Sequence, residues 1–114
     1  MMRVRFPGEF EQIVLLTLAG FDGEASGRDV YDVITSATDR EVAIAAVHIT
    51  LGRLEEKGWA TSTTREPEPG VGGKPRRSYR ISPAGAEMLA EQRRHQDRLW
   101  GRASSNPLLG GGRG

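Results

Sequence analysis

A chain of 114 residues is long enough for one domain with a modest hydrophobic core and too short for two independent ones. It contains no cysteine, which excludes disulfide bonds and thiolate metal sites and fits a reducing cytoplasm. Its net charge of +1 excludes a uniformly basic chain, and its longest apolar run, Ile13–Gly20, is far shorter than the ~20 residues of a membrane-spanning helix.

The first predicted helix follows residues 1–7, which we interpret as an N-terminal arm, and it is apolar on almost every face. Its apolar residues are Phe10, Ile13, Val14, Leu15, Leu16, Leu18, Ala19 and Phe21. Since a helix that is apolar all round is buried on two sides, one side should pack on the core of the domain. The other side needs a partner, either the C-terminal helix or a second subunit.

The second predicted helix begins after a turn at Gly20–Ala25. Ser26 suits the N-cap position, and Asp29 follows three residues later, as in a capping box. The apolar stripe of this helix consists of Val30, Ile34 and Ala37. We expect the helix to end at residues 38–40 and to be followed by a very short strand at Glu41–Val42.

A third helix is predicted over about Ile44–Lys57, with Gly58 after it. Its apolar face consists of Ile44, Val47, Leu51 and Leu54. The opposite face near its start carries Ala45, Ala46, His48, Ile49 and Gly52. The helix therefore has one side for the core and a second side, with mostly small residues, that another molecule can approach closely.

A β-hairpin with a basic loop is predicted after this helix. The strands Trp59–Arg65 and Ser78–Ile81 contain β-favouring residues, and loop 66–76 is rich in proline and glycine. The basic residues near the loop are Lys74, Arg76, Arg77 and Arg80. They form a local positive patch, although arginines can also simply keep an exposed loop soluble. A helix followed by such a hairpin is the layout of a winged helix-turn-helix, in which the helix enters the major groove and the hairpin, or wing, lies beside the DNA backbone.

The residues that we predict to contact DNA come from the starts of two helices and from the wing. They are Ser26, Arg28, Ala45, Ala46, His48, Ile49, Arg53, Lys74, Arg76 and Arg77. Small and apolar side chains touch thymine methyl groups but offer no hydrogen bonds, so DNA shape and phosphate contacts should contribute more than direct base readout. His48 could donate to a phosphate or to a guanine edge, or be an ordinary half-exposed histidine. Arg53 could reach a phosphate or pair with Glu56.

A C-terminal helix over residues 83–101 is predicted because Ser82 suits the N-cap and Pro83 the first helical position. Its apolar stripe is narrow, so we expect it to be a dimerisation helix that packs on the first helix, its own or a partner's. The residues assigned to the dimer interface or to an effector pocket are Phe10, Leu89, Leu99 and Trp100. Packing and ligand binding are alternatives for Trp100. Residues 102–114 are predicted to be a disordered tail after a winged helix-turn-helix domain over residues 8–82.

The chain resembles the PadR family of transcriptional regulators over about residues 8–100. The resemblance is carried by the segments AVHITLGRLEEKGWA and KPRRSYRISPAG. The matching positions are Val47, His48, Leu51, Arg53, Leu54, Gly58, Trp59, Tyr79, Ile81, Ser82 and Gly85. Three residues depart from the family's pattern: His48 stands for a tyrosine, Ser82 for a threonine and Ser78 for a second aromatic residue.

This resemblance implies a mainly α fold with a small β-hairpin, that is, a winged helix-turn-helix plus a C-terminal dimerisation helix. It also implies a homodimeric repressor that binds double-stranded DNA at an inverted repeat and is often released by a small-molecule effector or a stress signal. A MarR-like regulator and a winged-helix protein–protein interaction module without sequence-specific DNA binding are the alternatives.

Catalysis receives little support from the sequence. The two histidines, His48 and His95, lie on different predicted helices, and no nucleophile, phosphate-loop or paired metal-ligand motif is present. We therefore expect a cytoplasmic protein that is not an enzyme, holds no metal or cofactor and does not bind membranes.

Overall fold

The computed structural model describes residues 5–67, 69–70 and 72–110. In chain order the elements are α1 (Glu9–Ala19), β1 (Ala25–Ser26), α2 (Gly27–Thr38), α3 (Ile44–Glu56), β2 (Ala60–Arg65), β3 (Arg76–Ile81), α4 (Pro83–Ala103) and α5 (Pro107–Gly110). The three strands form one antiparallel sheet in the order β1-β3-β2. The predicted fold class, mainly α with a small hairpin, is confirmed.

The hydrophobic core lies between α1, α2, α3 and one face of the sheet. Its buried residues are Val14, Leu15, Leu18, Ala25, Val30, Ile34, Val47, Leu51, Leu54, Trp59, Ala60, Tyr79 and Leu89. Each helix contributes residues three or four positions apart, as expected for an amphipathic helix with one side on the core. Full burial of each large aliphatic side chain contributes roughly 1.5–3 kcal/mol to stability.

The starts of α2 and α4 are capped as the sequence predicts. The Ser26 hydroxyl accepts the Asp29 N–H at 3.1 Å, and the Asp29 carboxylate accepts the Ser26 N–H at 3.0 Å. At α4, the Ser82 hydroxyl accepts the Gly85 N–H at 3.0 Å and donates to the Gly58 carbonyl at 2.6 Å. A Cβ atom at Gly85 would collide with the Trp59 carbonyl oxygen, so only glycine lets α4 pass this close to the start of the wing.

The short strand predicted at Glu41–Val42 is wrong, because these residues lie in the loop between α2 and α3. The strand is instead Ala25–Ser26, which pairs with Tyr79 and Ser78 of β3. Asp39, with φ 56°, turns the chain at the end of α2. The Val42 side chain then packs against the core from the loop, so its burial needs no strand.

The predicted core face of α3 is wrong at one position. Ile44 is 38% exposed because it is the first residue of the helix, where the core no longer covers it. Val47, Leu51 and Leu54 are buried as predicted, and Thr50 is buried beside them. On α2, Ala37 is exposed although it was assigned to the apolar stripe.

The C-terminal segment is more helical than the sequence suggested. α4 continues to Ala103, and Pro107–Gly110 form a short helix where a disordered tail was predicted from residue 102. The Asn106 side chain accepts the Leu108 N–H at 2.9 Å, which caps this turn, and Leu109 lies near Trp100. Residues 111–114 of the predicted tail and residues 1–4 of the predicted arm lie outside the described residues. No helix in the described part of the chain is long and apolar enough to cross a membrane.

Candidate nucleic-acid interface

The starts of α2 and α3 and the first residues of β3 border one shallow groove of about 480 Å³. The predicted site residues that line it are Ser26, Arg28, His48, Arg76 and Arg77. Because they come from three separate elements, their proximity depends on the tertiary fold rather than on any single segment. The groove therefore brings together half of the residues that the sequence assigned to DNA contact.

His48 is placed in this groove by a glycine on the neighbouring helix. A Cβ atom at Gly27 would collide with the imidazole ring of His48, so the ring occupies the space that any larger residue would need. His48 is nevertheless exposed on its other side. The ring thus rests on the first turn of α2 and presents its remaining edge to solvent, where either nitrogen can take part in a hydrogen bond.

Ser26 and Arg28 have partners within the domain. The Ser26 hydroxyl already accepts the Asp29 N–H as the N-cap of α2, so it has less capacity to bond to another molecule. The Arg28 guanidinium donates to Asp32 at 3.1 Å and lies 5.6 Å from the centre of the Tyr31 ring. Both members of the Arg28–Asp32 pair are mostly exposed, and such pairs contribute at most ~1 kcal/mol. A phosphate could therefore replace Asp32 as the partner of Arg28 at little cost.

The remaining predicted contacts on α3 lie along its outer surface. Ala45, His48 and Ile49 are exposed at its start, with Ile49 58% exposed, while Ala46 is half-buried. Arg53 is exposed further along the helix, and within the described residues it forms no ion pair with Glu56. On this outer surface, most residues near the start of α3 are small or apolar, and the basic residue Arg53 lies further along the helix.

The wing concentrates positive charge where its two strands separate. Arg65 at the end of β2 is paired in register with Arg76 at the start of β3. Together with Lys74 they border a cavity of about 690 Å³ next to the loop. Glu66 also lines this cavity and is the acidic residue in it. Like charges directly opposite each other in a ladder are unfavourable, so an anion between them would stabilise this end of the wing.

Arg65 is a residue that sequence reasoning missed. The predicted loop began at residue 66 and included Arg76, so no cross-strand pair was expected there. The observed register, with a loop from 66 to 75, is the signal that places the two arginines opposite each other.

Arg77, by contrast, is bonded within the domain. Its Nη2 donates to Oε1 of Glu55 at 3.1 Å and its Nε donates to the Ser62 hydroxyl at 3.1 Å. The Ser62 hydroxyl in turn donates to Oε2 of Glu55 at 2.7 Å. The predicted role of Arg77 as a DNA contact therefore competes with an internal carboxylate.

The residues assigned to dimerisation or effector binding fall into two groups. Leu89 is buried, and Phe10 is partly buried with the Arg40 guanidinium 5.6 Å from its ring centre, so both pack within their own domain. Leu99 and Trp100 lie on the exposed far end of α4, where Trp100 is 62% exposed. The helix α4 packs on α1 of the same chain, and Gln12 donates to Gln96 at 3.2 Å.

A groove of about 500 Å³ runs between α1 and α4. Leu16 of α1, which is 52% exposed, and Trp100 of α4 both line it. Within a single chain α1 packs on the core and on α4, as predicted, but the groove at Leu16 leaves part of its surface uncovered. In the described residues, no group of three or more His, Cys, Asp or Glu is arranged to hold a metal ion.

Comparison with known proteins identifies the fold. No family model matches the sequence, and no curated protein matches it. Among solved structures, a PadR-like transcription factor from Bacteroides fragilis is 20% identical, with a TM-score of 0.70 over 84% of this chain and 87% of that one. A PadR family regulator from Eggerthella lenta is 24% identical, with a TM-score of 0.61 over 82% and 80%. The Bacillus subtilis PadR in complex with operator DNA is 19% identical, with a TM-score of 0.60 over 73% of this chain and 45% of that one. The chain therefore has the winged-helix fold of PadR-like regulators.

Proposed function

We propose that this chain is a DNA-binding transcriptional regulator of the PadR type, which represses by binding an inverted-repeat operator as a homodimer. The observation that carries the proposal is the shared groove. The starts of α2 and α3 and the arginines at the start of β3 border the same groove. This is the arrangement in which a helix-turn-helix protein places one helix in the major groove and its wing beside the backbone.

We assign the two kinds of DNA contact to different residues. Arg65, Lys74 and Arg76 on the wing and Arg28 on α2 supply phosphate contacts, which fix orientation and contribute a salt-dependent affinity. His48 and Ile49 supply the contacts that depend on the base sequence, through a hydrogen bond and through apolar contact with thymine methyl groups. The near-neutral net charge of the chain means that attraction to DNA is local to this face.

The apolar surface that one chain leaves open supports dimerisation. Leu16 on α1 and Leu99 and Trp100 on α4 are exposed together with the groove between these helices. A second copy that packs there would bury them and bring two recognition helices to one face of the duplex. Two-fold symmetry then predicts half-sites about one helical turn, ~34 Å, apart.

Selection of bound genomic fragments by the purified protein tests the proposal directly. Enrichment of fragments that share an inverted repeat is the expected result, and light scattering should give the mass of a dimer before DNA is added. A monomer at micromolar concentration that stays monomeric on DNA contradicts the dimer, and failure to enrich any sequence contradicts the regulator.

The groove between α1 and α4 also allows a test for an effector. In a Trp59→Phe variant, Trp100 becomes the reporter, and planar aromatic compounds that enter the groove should change its fluorescence. An unchanged signal across a broad panel assigns Trp100 to packing alone.

A protein–protein interaction module is the second candidate function, and one observation favours it. Leu108 and Leu109 add exposed apolar surface beyond Trp100 at the end of the chain. Exposed apolar surface of this kind marks interaction sites. If this candidate is correct, replacing the basic residues of the wing with neutral ones leaves the affinity of the protein for DNA unchanged.

A further inference from the structure

The bonds among Arg77, Glu55 and Ser62 form a closed triangle between the wing and α3, which we call the wing brace. Both carboxylate oxygens of Glu55 are used, one by the Arg77 guanidinium at 3.1 Å and one by the Ser62 hydroxyl at 2.7 Å. The third side is the 3.1 Å bond from Arg77 to Ser62. Each of the three residues belongs to a different element, so the brace links α3, β2 and β3.

The brace lies on the side of the wing that faces the domain. Successive residues of a strand point to opposite faces, so Arg77 shares a face with Tyr79, which is buried. The Arg77 guanidinium carbon is 5.9 Å from the centre of the Tyr79 ring. This contact and the two hydrogen bonds orient the guanidinium back towards α3.

Among the described residues, few other interactions hold the outer part of the wing. The strand β1 pairs only with Ser78 and Tyr79, so beyond them the ladder consists of β2 and β3 alone. On the outer strand, Thr63 donates to Glu24 at 2.8 Å, and Arg77 lies one residue further out than the Ser78 that pairs with Thr63. A two-stranded ribbon by itself is marginally stable, so the angle of its tip depends on such side-chain links.

We propose that Arg77 is a positioning residue, which through Glu55 and Ser62 sets the angle between the wing and α3, and that it is not a phosphate contact. The proposal rests on the DNA-binding function proposed above. Glu55 compensates the charge of Arg77 at the surface of the domain, where the Arg77 side chain is 56% exposed and borders the groove. Arg65, Lys74 and Arg76 are then the wing residues that meet the phosphates, at an angle that the brace maintains.

The two roles of Arg77 predict opposite effects of removing the carboxylate. If Arg77 contacted phosphate, Glu55→Gln would release its positive charge and tighten binding to DNA. As a brace, Glu55→Gln, Arg77→Gln and Arg77→Lys should each weaken binding, because lysine keeps the charge but cannot form the two-pronged bond. We expect each loss to be roughly three- to thirtyfold, as for one broken interaction between contacting residues, and the Glu55→Gln/Arg77→Gln double variant to bind no more weakly than either single variant.

Two neighbours supply matched controls. Glu56→Gln removes the same charge from the next residue of α3, which is exposed, and should leave affinity for a mixed-sequence duplex unchanged or slightly raised. Arg76→Gln removes the same charge from the next residue of β3 and should lower the salt dependence of binding by about one unit, as expected for a lost phosphate contact.

Hydrogen exchange of the DNA-free protein separates the brace from the DNA-binding proposal. Glu55→Gln and both Arg77 variants should exchange faster at the amides of residues 63–65 and 76–77, with the amides of α1 and α2 unchanged, whereas Glu56→Gln should not. If the parent protein binds no duplex, the proposed function fails while exchange still tests the brace. Unchanged exchange in the wing of Glu55→Gln, or tighter DNA binding by that variant, overturns the inference and returns Arg77 to the phosphate contacts.

Discussion

Near the C-terminal end of α3, buried and hydrogen-bonded side chains link the helix to other parts of the domain, whereas near its N-terminal end several side chains lie on the surface. Leu54 is fully buried, Glu55 belongs to the wing brace, and Lys57, just after the helix, donates to Glu11 of α1 at 2.7 Å. At the other end, Ile49 is exposed and His48 rests on a glycine of α2. One helix is thus anchored at one end and open at the other, so stability and recognition should respond to different substitutions.

The largest expected difference between the two ends is in stability. Leu54→Ala should lower the free energy of unfolding by roughly 2–5 kcal/mol, because it leaves a cavity in the core. Ile49→Ala should change it by less than about 0.5 kcal/mol, because its side chain already lies in solvent. Urea denaturation of the two variants measures the difference. Similar losses at both positions would mean that the N-terminal end is covered as well, by a second chain.

The contact between His48 and Gly27 allows the open end to be altered without touching DNA contacts elsewhere. In Gly27→Ala the new methyl group displaces the imidazole ring, so this variant and His48→Ala should both lose about 1–3 kcal/mol of affinity at the preferred sequence and little at random DNA. Competition binding with both duplexes makes the comparison. Gly52→Ala is the stability control on α3, since a Cβ there meets nothing within 4 Å and alanine favours the helix by up to about 1 kcal/mol. Equal losses on both duplexes would assign His48 to phosphate contact.

The wing should affect binding to all sequences alike. Arg65→Ala and Arg76→Ala remove the two arginines that face each other across the hairpin, and each should flatten the dependence of log affinity on log salt by about one unit. Affinities for preferred and scrambled duplexes over a salt series give both slopes. A double variant that binds as tightly and as salt-dependently as the parent would leave the protein–protein module as the better explanation.

The smallest expected effect concerns the link between α1 and the anchored end of α3. Burial raises the pKa of Glu11, but the hydrogen bond from Lys57, the Gly8 N–H and the charge of Arg53 outweigh it and lower the pKa below its ordinary value of 4.5. A lowered folded pKa means that the carboxylate stabilises the fold above the unfolded pKa and that this contribution is lost as pH falls through the folded pKa. Glu11→Gln should therefore cost about 1 kcal/mol or less at neutral pH and nothing in strong acid.

Thermal unfolding over a pH series measures this dependence. Glu9→Gln is the matched control, because Glu9 is exposed and its partner Arg40 is 3.5 Å away. A constant difference between Glu11→Gln and the parent at every pH would show that the link acts through packing rather than through charge.

The sequence predicted best those features whose causes are local. The starts of α2 and α4 were predictable because Ser26 and Ser82 bond to residues only three positions away. The buried residues Val47, Leu51 and Leu54 were predictable because they share one face of a helix. The structure brings Ser26, His48 and Arg76 to one groove, and their contact with DNA stays a prediction.

Features that depend on distant parts of the chain were missed. A strand of two residues at Ala25–Ser26 has no periodicity of its own and exists because β3 lies beside it. Glu55, the partner of Arg77, lies 22 residues earlier in the chain. The sequence did not reveal this pairing, so the charge of Arg77 was interpreted as available for contact with DNA. The exposed start of α3 at Ile44 depends on where the core ends, which helical spacing alone does not reveal.

The start of α4 packs closely against the residues just before β2, and this contact makes a rigid joint between the helix and the wing. Gly85 against the Trp59 carbonyl and the Ser82 hydroxyl on the Gly58 carbonyl leave α4 little room to tilt independently of the hairpin. A helix of 21 residues is about 31 Å long, so α4 acts as a lever: a tilt of about 5° at the joint moves its far end by about 3 Å. In the proposed dimer joined at Trp100, the separation of the two DNA-binding surfaces would therefore depend on the close fit at Gly85, fifteen residues away.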